Sequence, residues 1–226
     1  MGKKLIKPTT FTADYDLEPG ETWFLDSQTA RVDNGNGVYT AYRPYFDSKD
    51  NLKFSRVSIP NVRVSVKGKR LSDNAYMGAM AEVEYTTVEF MGKRYAIGDE
   101  ALYQAGGRHE TFANNESRYE SDQAIMLTLS ALALSGMPSG DVKLILSVPP
   151  ELIDIVGKRM RDAYQAGEHG HNDGEWSLTL DGKAYTYHIK RLKVMMECQV
   201  AYGAYAFDAN GNRVVIPHRD TGVDVL

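Results

Sequence analysis

Hydrophobic and polar residues change their spacing near the middle of the chain. From Thr29 to about Gly98 the pattern is strand-like in Val38–Tyr42, in Phe54–Ile59, in Val62–Val66, where apolar and polar residues alternate, and in Tyr85–Phe90, which predicts a β-rich half. Gly92 separates the last of these runs from Arg94–Ile97, the spacing of a hairpin with a short loop. Beyond Ser121, the residues Ile125, Met126, Leu129, Leu132 and Ala133 recur at helical spacing, and Gly136 with Pro138 supplies a stop, predicting a buried helix over 122–135. An apolar strand over Val142–Val148 follows, ended by Pro149 and Pro150, one of which can start the next helix. That helix, over about 150–165, carries Leu152, Val156, Met160 and Ala163 as one stripe. Glu151 and Asp154 at its start and Lys158, Arg159 and Arg161 towards its end complement the helix dipole.

Trp176, Leu178 and Leu180 alternate, Asp181-Gly182 makes a tight turn, and Tyr185, Tyr187 and Ile189 alternate again, so residues 176–189 read as a hairpin. Lys193–Met196 reads as a further strand, followed by a helix or loop over 199–206 and a turn at 208–211. Residues 1–26 mix Lys, Thr, Asp and Pro19-Gly20 with scattered aromatics, the pattern of an extension lying on a domain that occupies 27–226. An antiparallel opening followed by helix, strand, helix and strand is α/β with a mixed sheet.

Composition narrows the class. At 226 residues, 42% hydrophobic and 25% charged, the chain is long enough for a sizeable core, and no run approaches the roughly 20 apolar residues of a membrane span. The 26 basic and 30 acidic residues leave a net charge of −4, so no bulk charge favours direct nucleic-acid binding. The single cysteine, Cys198, excludes an internal disulfide framework and points to a reducing, cytoplasmic setting. His169 and His171 stand in a polar loop without a further ligand, which is weak for a metal, and Lys67, Lys69 and Arg70 form a short basic turn.

Asp33-Asn34-Gly35-Asn36-Gly37 is the densest turn signal in the chain and lies between two strand-like runs. Two readings stand side by side. Asn-Gly can simply supply the positive φ of a hairpin. Alternatively, the glycines let backbone N–H groups approach a phosphate while the Asp33 carboxylate holds a magnesium ion through its waters. The strand before it, Gln28–Val32, can put Ala30 and Val32 on one face, with Arg31 an awkward residue for a central strand.

The order of Asp33-x-Gly35-x-Gly37, Arg94–Ala101, the helix at 122, Leu144–Pro149 and Val194–Glu197 resembles the N-terminal domain of bacterial actin-like ATPases of the plasmid-segregation (ParM/StbA) type, over residues 33–224. The resemblance implies a ribonuclease-H-like α/β fold in which Asp33, Asn34, Gly35, Asn36 and Gly37 form the first phosphate loop, Asp33 serves the magnesium ion, and Glu197 orients the attacking water. It implies a nucleotide, ATP or GTP, with magnesium, self-association into filaments, and a possible adaptor protein bound to DNA. Set against the resemblance, the second phosphate loop and second domain are absent, as in a fragment of a longer protein or a naturally short relative, so nucleotide binding and turnover by this chain alone are expected to be weak or absent. The alternative is a non-catalytic interaction module that keeps the fold.

Overall fold

The computed structural model describes residues 9–12, 28–35, 37–49, 52–66, 86–99, 116–165 and 174–196. The elements in chain order are strands β1 (Thr9–Thr12), β2 (Thr29–Asn34), β3 (Val38–Phe46), β4 (Leu52–Pro60), β5 (Val64–Ser65), β6 (Thr86–Phe90) and β7 (Lys93–Ile97), then helix α1 (Asp122–Leu134), β8 (Gly140–Val148), helix α2 (Ile153–Gln165), β9 (Glu175–Leu180) and β10 (Lys183–Met196). Short 3-10 turns at Glu116–Glu120 and Pro150–Leu152 lead into the two helices.

All ten strands join one mixed sheet in the spatial order β1-β4-β3-β2-β8-β10-β9-β6-β7-β5. β2, β3 and β4 form an antiparallel meander, β8 lies parallel to β2, and β10 lies parallel to β8. β9 returns antiparallel to β10 and carries β6, β7 and β5 on its far side. Part of the predicted extension enters the sheet, since β1 pairs antiparallel with β4 at its edge.

Alternation decides which side is core. Ala30, Val32, Tyr39, Ala41, Val57, Ile59, Leu144, Leu146 and Val148 are buried and share one face by register, and both helices pack there. Ser121 caps α1 by accepting from the Ala124 amide, and Gly136 closes its end at φ 82°. Every residue from Gln123 to Ala133 is buried, because this helix is apolar on nearly all sides rather than along one stripe. Burial of each large side chain such as Ile125, Leu127, Leu129 or Leu132 contributes about 1.5–3 kcal/mol before entropy is counted. On α2 the buried residues are Val156, Gly157, Met160, Ala163 and Tyr164, with Leu152 in the preceding turn only partly buried.

Three sequence expectations change. The segments 183–189 and 193–196 are one 14-residue strand, not two, because nothing in Lys190-Arg191 turns the chain; a bulge between Ile189 and Arg191 absorbs the misfit as β10 passes from β9 to β8. The run Val62–Val66 narrows to the two-residue strand β5, since the Asn61 amide donates to Gly37 O and the Val62 amide to Pro60 O. The basic residues expected towards the end of the second helix stop short of its last turn, and the Arg159 guanidinium forks onto both carboxylate oxygens of Glu120, with Nε at 2.9 and 2.8 Å.

The predicted hairpin is present as β9 and β10. Its turn has φ 47° at Asp181 and 81° at Gly182, and the Asp181 carboxylate accepts from the Thr87 amide (2.8 Å) and hydroxyl (3.2 Å), tying the turn to β6. Among the described residues no helix is long and apolar enough to cross a membrane.

Candidate functional site

Three parallel strands end at one rim of the sheet. Register aligns Asp33 of β2 with Ser147 of β8, and Ser147 with Met195 of β10; Thr40 of β3 and Ser58 of β4 extend the same row. Ligands of open α/β sheets gather beyond the carboxyl ends of such strands, where connecting loops leave a crevice. The row faces away from the helices and is polar: the Thr40 and Ser58 hydroxyls stand 3.2 Å apart, and Arg31 Nη2 donates to Ser147 Oγ at 3.2 Å.

Asp33 is the carboxylate of this row. It is half-buried, and among the described residues it has neither an ion-pair nor a hydrogen-bond partner. Asn34, next along β2, turns to the opposite face and is 1% exposed. Its amide stands by the Tyr164 hydroxyl, which Thr128 Oγ1 approaches at 3.1 Å, yet neither Asn34 amide atom reaches hydrogen-bonding geometry. The structure therefore turns the Asn34 side chain away from the polar row.

The two glycines of the hairpin differ. A Cβ on Gly35 would stand 2.7 Å from the Val38 carbonyl oxygen, so the tight reversal between β2 and β3 requires a residue without one. A Cβ on Gly37 would meet nothing within 4 Å. Space stays open beside that backbone, and nothing within the hairpin demands glycine there. Asn36 and Glu197 lie outside the described residues; β10 ends at Met196, immediately before Glu197, on the rim that carries Asp33. Cys198, His169, His171, Lys67, Lys69, Arg70 and the segments 199–206 and 208–211 also lie outside them.

A magnesium phosphate group fits what is present. Magnesium keeps several waters and takes one or two carboxylates plus phosphate oxygens, so a single partner-free aspartate suits it. Among the described residues no group of three or more His, Cys, Asp or Glu is gathered.

Sequence reasoning missed the buried polar cluster behind the loop. Burial raises the Tyr164 phenol well above its usual range, against the opposing effect of the hydrogen bond with Thr128. Tyr39, opposite Asn34 in the β2–β3 ladder, is likewise raised by burial, helped by the nearby Tyr164 and opposed by Arg118. Arg118 is 7% exposed, stacks 4.3 Å over the Tyr119 ring and donates to the Tyr119 hydroxyl. The only signal was a tyrosine just ahead of the Ser121 cap.

No curated protein sequence matches the chain. Solved structures do, at identities that establish the fold alone. AlfA from the B. subtilis plasmid pLS32, in its filament, gives a TM-score of 0.52 at 19% identity over 75% of this chain and 55% of its own. An AlfA filament bound to AMPPNP gives 0.51 at 18% over 80% and 58%, and Bacillus thuringiensis ParM in apo form gives 0.55 at 17% over 86% and 52%. The chain thus spans a little over half the length of these structures. The sequence profile described as the actin-like proteins N-terminal domain matches residues 48–199, starting after the β2–β3 hairpin. The profile takes in about two thirds of the chain, and the fold agrees with it: the chain belongs to the actin-like proteins, within the family of their N-terminal domain.

Proposed function

We propose that this chain is the N-terminal domain of a cytoplasmic, filament-forming actin-like protein that takes a magnesium nucleotide, ATP or GTP, at the β2–β3 hairpin and serves plasmid segregation or intracellular positioning. The observation that carries the reading is the rim: an Asp33 without an ion-pair partner among the described residues, a hairpin with open space at Gly37, and the end of β10 brought to the same carboxyl edge. The likeness to filaments, one of them holding AMPPNP, favours self-association and a nucleotide over other uses of the fold. An adaptor bound to DNA would link filament to cargo.

In this reading the hairpin amides from Gly35 to Gly37 cradle phosphate oxygens and Asp33 holds the magnesium ion, through water. Bound magnesium supplies charge neutralisation on the phosphates. Glu197, following Met196 at the rim, orients the water for hydrolysis once the rest of the clamp is in place. The chain spans a little over half the length of the AlfA and ParM structures it resembles, so MgATP is expected to bind it weakly.

Titration of MgATP into the chain by ligand-observed NMR tests the proposal. The expected result is magnesium-dependent binding that Asp33→Asn removes while the melting temperature stays within a few degrees. Absence of binding at millimolar MgATP would leave the alternative, a non-catalytic interaction module. In a complete enzyme, Glu197→Ala is expected to spare binding and lower turnover.

A further inference from the structure

Arg31 is a charged residue in the interior of a ten-stranded sheet, and the structure gives it little to do. It sits one step behind Asp33 on the same polar face, directly opposite Tyr42 of β3 and Ile145 of β8. Through Ile145 the row reaches Lys193, and through Tyr42 it reaches Arg56, so register sets three cations across one line with no acid directly opposite any of them.

The guanidinium also points in one direction. Arg31 is level with Ile145, yet its Nη2 donates to Ser147 Oγ at 3.2 Å, two residues nearer the rim, a displacement of about 6.7 Å along a strand. Ser147 is fully buried and belongs to the Asp33 row. The Arg31 Nε is enclosed and has no hydrogen-bond partner. Arg31 and Asp33 stand two residues apart on one face without forming an ion pair among the described contacts, although a structural arginine in this position would be expected to take the nearest carboxylate. Among the described residues a cation and an anion thus stand side by side near one rim without pairing with each other.

We propose that Arg31 is a phosphate-contacting residue of this site, aimed by Ser147 at the anionic oxygens of a bound nucleotide while Asp33 serves the magnesium ion. The assignment rests on the nucleotide reading above. It explains why an arginine is kept in a central strand: the guanidinium fork matches phosphate oxygens, and a desolvated cation at the rim contributes more to binding than one in water.

Titration of MgATP by ligand-observed NMR and the melting temperature of the ligand-free chain, for the parent and for Arg31→Met and Ser147→Ala, test the assignment. Arg31→Met keeps the aliphatic volume and removes the charge. It is expected to weaken MgATP by about 10- to 100-fold, seen as loss of the signal at millimolar affinity, while the ligand-free melting temperature holds or rises. Ser147→Ala, which leaves the charge and removes its aim, is expected to weaken MgATP by about 2- to 10-fold. Unchanged MgATP affinity in Arg31→Met would overturn the assignment and leave the nucleotide site standing. A lowered ligand-free melting temperature in Arg31→Met together with unchanged affinity in Ser147→Ala would make Arg31 a structural anchor instead. Failure of the parent chain to bind would remove the nucleotide reading itself, and this assignment with it.

Discussion

Replacing the two hairpin glycines one at a time separates a steric requirement from a functional one. At Gly35 the new methyl would stand 2.7 Å from the Val38 carbonyl oxygen, closer than side-chain carbons approach backbone oxygen, and both atoms belong to one short reversal. The hairpin must shift, at about 1–3 kcal/mol for an overpacked site. Stiffening of the unfolded chain offsets about 0.4–1 kcal/mol of this. The net destabilisation of Gly35→Ala is therefore about 1–2 kcal/mol, a fall in melting temperature of about 2–8 °C for a chain of this size. At Gly37 the methyl meets nothing within 4 Å and φ is not in the left-handed region, so only the unfolded-state effect remains. Gly37→Ala is expected to be stabilised by about 0.4–1 kcal/mol. Denaturant titration followed by the fluorescence of buried Trp176 reads both values. The opposite order, with Gly37→Ala the weaker protein or Gly35→Ala indistinguishable from the parent, would refute the geometry of the loop. If Gly37→Ala is stable but loses MgATP, the open space beside that glycine belongs to the ligand.

Other outcomes can be stated briefly. Ser121→Ala removes the acceptor for the Ala124 amide at the start of α1, and a loss of about 1 kcal/mol is expected in the same titration. Burial raises the folded-state pKa of Tyr39, Tyr164 and Tyr187 above the unfolded value near 10. Their neutral forms therefore stabilise the fold fully below about pH 10, and that stability is lost as pH climbs from there towards the folded values. Melting temperature against pH should be flat with respect to these groups up to about pH 9 and fall beyond pH 10; no fall on the alkaline side would contradict the burial of the three phenols.

What the sequence made legible was local. Ser121 and Gly136 bracket α1 because capping chemistry depends on nearest neighbours, and Asp181-Gly182 announces its hairpin for the same reason. The strand-like runs located β2, β3, β4, β6 and β7, and the alternation of Ala30 and Val32 put Arg31 on the other face. What escaped it depends on partners far along the chain. That Arg159 would fork onto Glu120, or that Asp181 would hold Thr87 across 94 residues, has no signature in either segment. The continuity of β10 escaped because pairing with two different strands reads, in one dimension, as two strands. At the candidate site, the turn residues were visible and the alignment of Asp33, Ser147 and Met195 was not, since register between non-adjacent strands is a property of the assembled sheet.

The burial of α1 on nearly all its sides also governs how the molecule comes apart. With every residue from Gln123 to Ala133 out of water, and Thr128 and Ser130 already bonded to Tyr164 and to the Met126 carbonyl, no small opening at the surface admits solvent to this backbone. Its amide hydrogens can exchange with deuterium only when the sheet beneath and the elements packed around it separate together. In a hydrogen-exchange record, α1 should be the last segment to label, with a protection free energy equal to that of unfolding the whole domain. The helix is thus a built-in reporter of global stability, against which the faster exchange of the rim and the edge strands can be read.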